Sequence, residues 1–285
     1  MKRKPSRLKL VAELPSETLL AFIVRRGGVE EATASHAVLR GGAFLRGSRE
    51  KDPQAQVFAG DKVDVSFPET AAAISLDKSR LLFMDADVIA VDKPAGIAAQ
   101  EELVGGPALP DLCSQLLAEL GETETQALLV HRLDKGTTGV TLLARNKESQ
   151  TRLLEDFRER RVRKEYRALT TRPPASEMIT ALVEGRTAST RVQVLHQFPL
   201  GAHIAAFPET GRTHQVRLHL ESVGAPLLGD RQHGGPIYIN RPDGSRLDFE
   251  RPMLHALSLK IVGGARVEAP VPPDFKAALA WLAKS

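Results

Sequence analysis

One stretch gathers residues that could do chemistry together: Leu128-Leu129-Val130-His131-Arg132-Leu133-Asp134-Lys135-Gly136-Thr137-Thr138-Gly139-Val140. An apolar run enters it, a loop rich in Gly and Thr follows, and a second apolar run, Val140 to Ala144, leaves it. The pattern reads as strand, tight loop, strand, with Asp134 at the crest. Backbone N–H groups and hydroxyls in such a loop can orient a carboxylate, and Arg132 and Lys135 favour its charged form. That suits a nucleophile or a base, not a general acid. Taken alone, the stretch is better read as a turn Asp that hydrogen-bonds its own backbone. What shifts the balance lies further along the chain.

A second group is Glu209-Thr210-Gly211-Arg212-Thr213-His214-Gln215-Val216-Arg217-Leu218-His219-Leu220. Gly211 makes a turn, Thr213 is the expected N-cap, and Gly224 with Pro226 ends the helix. Val216, Leu220 and Val223 recur at core spacing, so His214 and Arg217 project together from a different face. Arg217 is then a candidate partner for a buried carboxylate elsewhere. A third group is the densest cationic cluster: Arg158, Arg160, Arg161, Arg163, Lys164 and Arg167, at the end of an amphipathic helix from Lys147 to Arg160. A helix end favours some positive charge; six cations exceed that need and match backbone phosphates. Inside the cluster lies Lys164-Glu165-Tyr166-Arg167-Ala168, whose Tyr166, read as exposed, could stack on a base or else simply pack in the core.

The remaining elements must position these groups. The chain has 285 residues with 42% hydrophobic and 26% charged, values of a globular protein with a real core. Aromatics are only 5%, so base stacking cannot be spread over many platforms. The net charge of +4 is compatible with a polyanionic partner without demanding one. The single Cys113 excludes a disulfide framework, and no multi-Cys or His-x-x-x-His zinc spacing, Walker loop, dinucleotide fingerprint or nucleophile elbow occurs. The basic N-terminus lacks a following apolar run, and no window matches a membrane span, so the expected compartment is the cytoplasm. Strands over 81–96 open a larger domain, a helix follows from Asp111 to Leu120, and alternating segments such as Thr190–Leu195 and His203–Phe207 predict antiparallel strands.

Residues 1–15 read as a mobile basic tail and 69–80 as a linker. Between them, 16–68 predicts a small unit: a helix capped by Ser16 and ended by Gly27-Gly28, a second helix from Thr33, and short strands. Leu39-Arg40-Gly41-Gly42, Leu45-Arg46-Gly47-Ser48-Arg49 and Ala59-Gly60-Asp61-Lys62-Val63 resemble the S4 RNA-binding domain. That resemblance implies phosphate contacts at Arg40, Arg46, Arg49 and Lys51; the alternative is a small accessory domain without RNA contacts.

Six segments, in order over about residues 81–260, resemble the pseudouridine synthases, specifically the RluA-type family that modifies ribosomal and transfer RNA. They are Val91-Asp92-Lys93-Pro94-Ala95-Gly96, His131-Arg132-Leu133-Asp134 with Thr137-Thr138-Gly139, Lys164-Glu165-Tyr166-Arg167-Ala168, Gly211-Arg212-Thr213-His214-Gln215-Val216-Arg217, Leu228-Gly229-Asp230 and Leu254-His255-Ala256. The resemblance implies an α+β fold: a mixed, mostly antiparallel sheet with flanking helices over 81–285, beside the S4-like module. It implies Asp134 as the catalytic carboxylate, Tyr166 stacked on the uracil and assisting late proton removal, and Arg217 paired with Asp134. Arg132 would help displace the target nucleotide. Arg161, Arg163, Lys164, Arg212 and His214 would join it in RNA binding. The expected partner is rRNA or tRNA, with no membrane, no metal and no cofactor, and the expected state is a monomer. The competing reading is a non-catalytic RNA-binding protein on the same fold; a third is a hydrolase pairing Asp134 with His131 or His214. Three positions depart from the family: Thr138 stands for the usual Ser, His233 for the usual Tyr, and Ile261-Val262-Gly263-Gly264 for an aromatic and His-Pro ending.

Overall fold

The computed structural model describes residues 7–39, 41–67, 75–100, 108–261, 264 and 266–284. The chain divides into two compact units, with a boundary between Ser75 and Leu76.

The first unit contains β1 (Arg7–Val11), β2 (Ser16–Thr18), α1 (Leu19–Gly27), α2 (Glu31–Leu39), β3 (Ala43–Leu45), β4 (Ser48–Glu50), β5 (Gln56–Phe58) and β6 (Lys62–Ser66). Strands β1, β6, β3 and β4 form one antiparallel sheet, and β2 pairs with β5. Its core holds Leu19, Phe22, Ile23, Val38, Val63 and Val65. Two expectations are corrected here. Residues 7–11 are not tail: Leu8 and Leu10 alternate with charged neighbours and pack onto the core, so the segment completes the sheet. Ser16 lies in β2, and Thr18 caps α1, its hydroxyl accepting the Ala21 N–H at 3.2 Å. Gly28, at φ +60, ends the helix.

The second unit contains β7 (Leu81–Met84), β8 (Val88–Lys93), α3 (Leu109–Glu119), β9 (Leu128–Leu129), β10 (Thr138–Ala144), α4 (Lys147–Arg158), β11 (Val162–Thr170), β12 (Met178–Val183), β13 (Arg186–Phe198), β14 (Gly201–Pro208), α5 (Gln215–Ser222), β15 (Tyr238–Asn240), β16 (Arg246–Asp248), β17 (Leu254–Ile261), β18 (Arg266–Glu268) and α6 (Pro273–Leu282). Its main sheet runs β12-β13-β14-β11-β17-β10-β8-β7, with β9 on β10 and β18 on β17. Only β10 and β17 run parallel among these pairs, so the fold is α+β with a mixed, mostly antiparallel sheet. Strands β8 and β10 are buried along their whole length because both faces are covered. Ile89 and Val91 meet Leu112, Cys113 and Leu116 of α3 on one face, while Ala90 and Leu142 meet Leu153 of α4 on the other. Val216 and Leu220 of α5 pack on Ala168, Ile204 and Ala206. Among the described residues no helix is long and apolar enough to cross a membrane.

The parallel pair has a local requirement. Gly139 faces Ala256 across it, at φ +116, and a Cβ there would lie 2.1 Å from the Ala256 carbonyl oxygen. No side chain fits without prising β10 from β17. Gly121, by contrast, has φ +82 and open space around it. Gly121→Ala therefore costs about 1 kcal/mol of backbone strain, and Gly139→Ala costs more than about 3 kcal/mol or prevents folding. Denaturant midpoints of the two variants measure the difference; equal shifts would refute the close-approach account.

Candidate active site

Asp134 sits in the loop that joins β9 to β10, strands that pair antiparallel through Leu129 and Leu143. The loop is bound from several sides. Thr137 N–H donates to the Asp134 carbonyl at 3.0 Å, and Gly96 N–H donates to the Lys135 carbonyl at 2.8 Å. Lys93, fully buried, donates to the carbonyls of Ile97 at 2.9 Å and Pro94 at 3.1 Å. Burial pulls its amine down to about 7, with the negative charge of Asp134 opposing that shift. Buried Arg251 reaches the Gly136 carbonyl at 3.4 Å and is itself held by Asp274 at 2.7 and 3.0 Å. Neither Lys93 nor Arg251 stood out in the sequence, although Lys93 lies in the first matching segment.

Helix α5 supplies the partner. The Arg217 guanidinium donates to Asp134 Oδ2 at 3.1 Å, to both oxygens of Asp230 at 2.7 and 2.8 Å, and to Gln232 Oε1 at 3.1 Å. Its side chain is 7% exposed and that of Asp230 is 1%, against 22% for Asp134. The buried guanidinium is thus anchored on Asp230 and offers its remaining donor to Asp134. Asp230 and Gln232 were missed as site residues; the Leu228-Gly229-Asp230 turn carried the only hint. Thr213 does not cap α5. His214 occupies that position in a left-handed conformation, φ 53 and ψ 20, and makes no side-chain capping bond. The Thr213 hydroxyl accepts instead from Arg132 at 2.8 Å. Gln215 pins the turn: its Oε1 accepts from Arg212 N–H at 3.1 Å, and its Nε2 donates to the Ser189 carbonyl at 3.0 Å.

These side chains line one cavity of about 470 Å³. Asp134, Tyr166, Arg217, Arg132, Lys164, Arg212 and His214 all face it. Tyr166 is half-buried rather than exposed, packed beside Val216 and Leu220, and burial, reinforced by Asp134, pushes its phenol up. Lys164, two residues earlier on the same face of β11, donates to the Thr210 carbonyl at 2.6 Å; burial pulls its amine down to about 8, and Arg160 adds to that. Arg161 and Arg163 are exposed and do not line the cavity, and Arg161 pairs with Asp156 at 2.8 Å. Arg158 and Arg160, on the neighbouring turn, do line it. Arg46 belongs to the first unit, where it pairs with Asp61 at 3.5 Å; Arg40 lies outside the described residues.

His131 cannot serve as a base for Asp134. Its Nε2 accepts the Leu142 N–H at 2.9 Å, its ring stacks on Phe157 at 4.6 Å, and burial pulls its pKa down to about 3. Thr138 keeps the hydroxyl of the usual Ser and shares a 2.9 Å hydrogen bond with His255 Nδ1. Among the described residues no three His, Cys, Asp or Glu side chains gather to hold a metal ion. The geometry therefore offers a carboxylate fixed by an arginine, an aromatic ring with a phenol beside it, and a cationic rim.

The fold is shared with an RNA pseudouridylate synthase of known structure. The sequence model of the RNA pseudouridylate synthase family matches residues 87–222. An uncharacterized RNA pseudouridine synthase of Mycobacterium bovis is 31% identical, over 87% of this chain and 88% of its own. The ribosomal large subunit pseudouridine synthase D of Nitrosomonas europaea is 33% identical, over 79% of this chain and 72% of its own. The solved structure of human RNA pseudouridylate synthase domain containing 4 superposes with a TM-score of 0.59 at 25% identity, covering 72% of this chain and 93% of that one. The chain belongs to the RNA pseudouridine synthase family, and its chemistry is the isomerisation of uridine in RNA.

The shared arginine makes a prediction. Arg217→Ala releases Asp134 from its partner and is expected to lower the single-turnover rate by roughly a hundredfold or more, while RNA affinity changes by less than about threefold. Filter binding beside rapid-quench kinetics separates the two effects. A change confined to affinity would sink the ion-pair role.

Proposed function

We propose that this enzyme converts a uridine of ribosomal or transfer RNA to pseudouridine, with Asp134 as the catalytic carboxylate. The observation that carries the reading is the Asp134–Arg217 contact of 3.1 Å inside the cavity that also holds Tyr166. A base stacked in folded RNA cannot reach a recessed carboxylate, so the target nucleotide must first swing out. A volume of about 470 Å³ accommodates a single nucleoside. Arg132, exposed at the mouth, is placed to fill the gap that the base leaves. Tyr166 offers its ring to the uracil, and Asp134 acts at the sugar or as a base. The reaction exchanges a C1′–N1 bond for a C1′–C5 bond and moves a proton from C5 to solvent and another to N1. Nothing is oxidised or reduced, so the isomerisation itself calls for no cofactor.

In this reading Lys164, Arg212 and Arg160 receive phosphates at the cavity, and Arg161 and Arg163 lie on its outer approach. The 16–68 region acts as an S4-like RNA-binding module through Arg46 and Arg40, and residues 81–285 form the catalytic domain. The enzyme works in the cytoplasm as a monomer. Retention of Asp134, Tyr166 and Arg217 around one cavity disfavours a purely RNA-binding role.

Cellular RNA tritiated at uridine C5 tests the proposal. Wild-type protein releases tritium to water and Asp134→Asn does not; equal release by both would overturn the role of Asp134. Replacing Arg160 and Lys164 together by Gln weakens RNA binding and reduces the slope of log K against log salt by roughly one to two. An unchanged slope would remove both residues from the phosphate contacts.

A further inference from the structure

The two oxygens of Asp134 meet different neighbours. Oδ2 accepts from Arg217, and Oδ1 faces His214 Nε2 across 3.9 Å. On its other side, His214 Nδ1 shares a 2.9 Å hydrogen bond with His233 Nε2, the rings meeting edge to face at 78°. His233 Nδ1 stands 3.9 Å from Glu221 Oε2. A row of ionisable groups thus leads from the half-buried carboxylate through two histidines to the exposed end of α5.

The 3.9 Å gap to Asp134 is too long for a hydrogen bond. In the tautomer where His214 Nδ1–H is the donor to His233, neutral Nε2 presents a lone pair toward Oδ1 and makes no bond to it. Among the described residues, Oδ1 then has no hydrogen-bond donor. The backbone of His214 supports a constraint of this kind. A non-glycine residue at φ 53 costs about 1 kcal/mol, and no capping bond offsets it. The His233 side chain contacts the ring at 2.9 Å, and backbone strain of this sort collects at functional positions.

We propose that His233 is a positioning residue for the reaction: it holds His214 with Nε2 toward the Asp134 oxygen that Arg217 does not contact, and protonation of His214 closes that oxygen with a second cationic contact. The inference rests on the proposed role of Asp134. Four charged or titratable groups face His214: Asp134 from the β9–β10 loop, Arg217 from α5, and His233 and Asp230 from the turn after α5. Burial lowers its pKa most; Asp134 opposes, and Arg217 and His233 lower it further. His214 is therefore uncharged at neutral pH. As pH falls through its depressed pKa, Nε2 gains a proton and binds Oδ1. Removing His233 removes one lowering influence, so the inhibitory protonation moves to higher pH.

Single-turnover tritium release from about pH 5 to pH 8 tests this, with Asp134→Asn as the reference. His233→Phe is expected to cut the saturating rate roughly tenfold to a hundredfold, to leave KM within about twofold, and to move the acid limb to higher pH. His233→Gln keeps an acceptor for Nδ1–H and restores most of the rate. NMR titration of the full-length protein adds a readout independent of turnover: the His214 pKa rises in His233→Phe and falls in Asp134→Asn. A wild-type rate and pH profile in His233→Phe overturns the inference, as does a change in KM alone or a His214 titration indifferent to Asp134→Asn. An active Asp134→Asn instead overturns the role of Asp134, which distinguishes the two failures.

Discussion

A single buried guanidinium holds the site together. Arg217 is shared between Asp134, from the β9–β10 loop, and Asp230, from the turn that follows α5. A buried arginine without counter-charge is costly, and removing one member of such a group costs about 3–5 kcal/mol because a charge is left uncompensated. The loop, the helix and the turn must therefore form together. Close backbone approaches make this possible. Gly229, at φ +80, leads into Asp230, and a Cβ there would lie 2.0 Å from the Arg251 carbonyl oxygen. Arg251 in turn binds the Gly136 carbonyl in the Asp134 loop.

The division of labour between the two acidic groups follows from burial. Asp230 is sealed from solvent and takes two of the guanidinium's bonds, so it serves as the fixed counterion. Asp134 is more open and, among the described residues, takes one side-chain hydrogen bond, on Oδ2 alone. A carboxylate held from one side only is oriented without being neutralised for chemistry. The cavity around it is lined by Arg132, Arg158, Arg160, Lys164 and Arg212, with Asp134 the only carboxylate of the lining among the described residues. Such a field attracts a polyanion to the rim and leaves one negative charge where the base and sugar would sit.

Much of this was legible in the chain. The strand–loop–strand around Asp134 shows because apolar runs flank a Gly- and Thr-rich turn, and the antiparallel strands β13 and β14 show by their alternation. Helical spacing anticipates that His214 and Arg217 project together; both do face the cavity, but His214 does so as the left-handed residue before α5 and not from the helix. The misreadings have local causes. Residues 7–11 looked like tail because their charges mask a two-residue alternation, and only the pairing with β6 gives Leu8 and Leu10 a core to enter. Thr213 has the right side chain for a cap, yet the left-handed turn at His214 moves it away and gives its hydroxyl to Arg132. Tyr166 looked exposed because its neighbours are cationic, while β11 turns it onto the core of α5.

The order of motifs determined the family, the reaction class and the identity of Asp134, Tyr166 and Arg217 as candidates, because residue type and local spacing are properties of the chain itself. Which carboxylate anchors Arg217, which cations enter the cavity, and which histidines meet were decided only by the tertiary structure. Asp134 lies 83 residues from Arg217, and Asp230 another 13 beyond it, outside α5, so no periodicity links the three. Their meeting depends on the crossing of β10, α5 and the turn after it. The same holds for His214 and His233, whose contact exists only once that turn has closed over the helix.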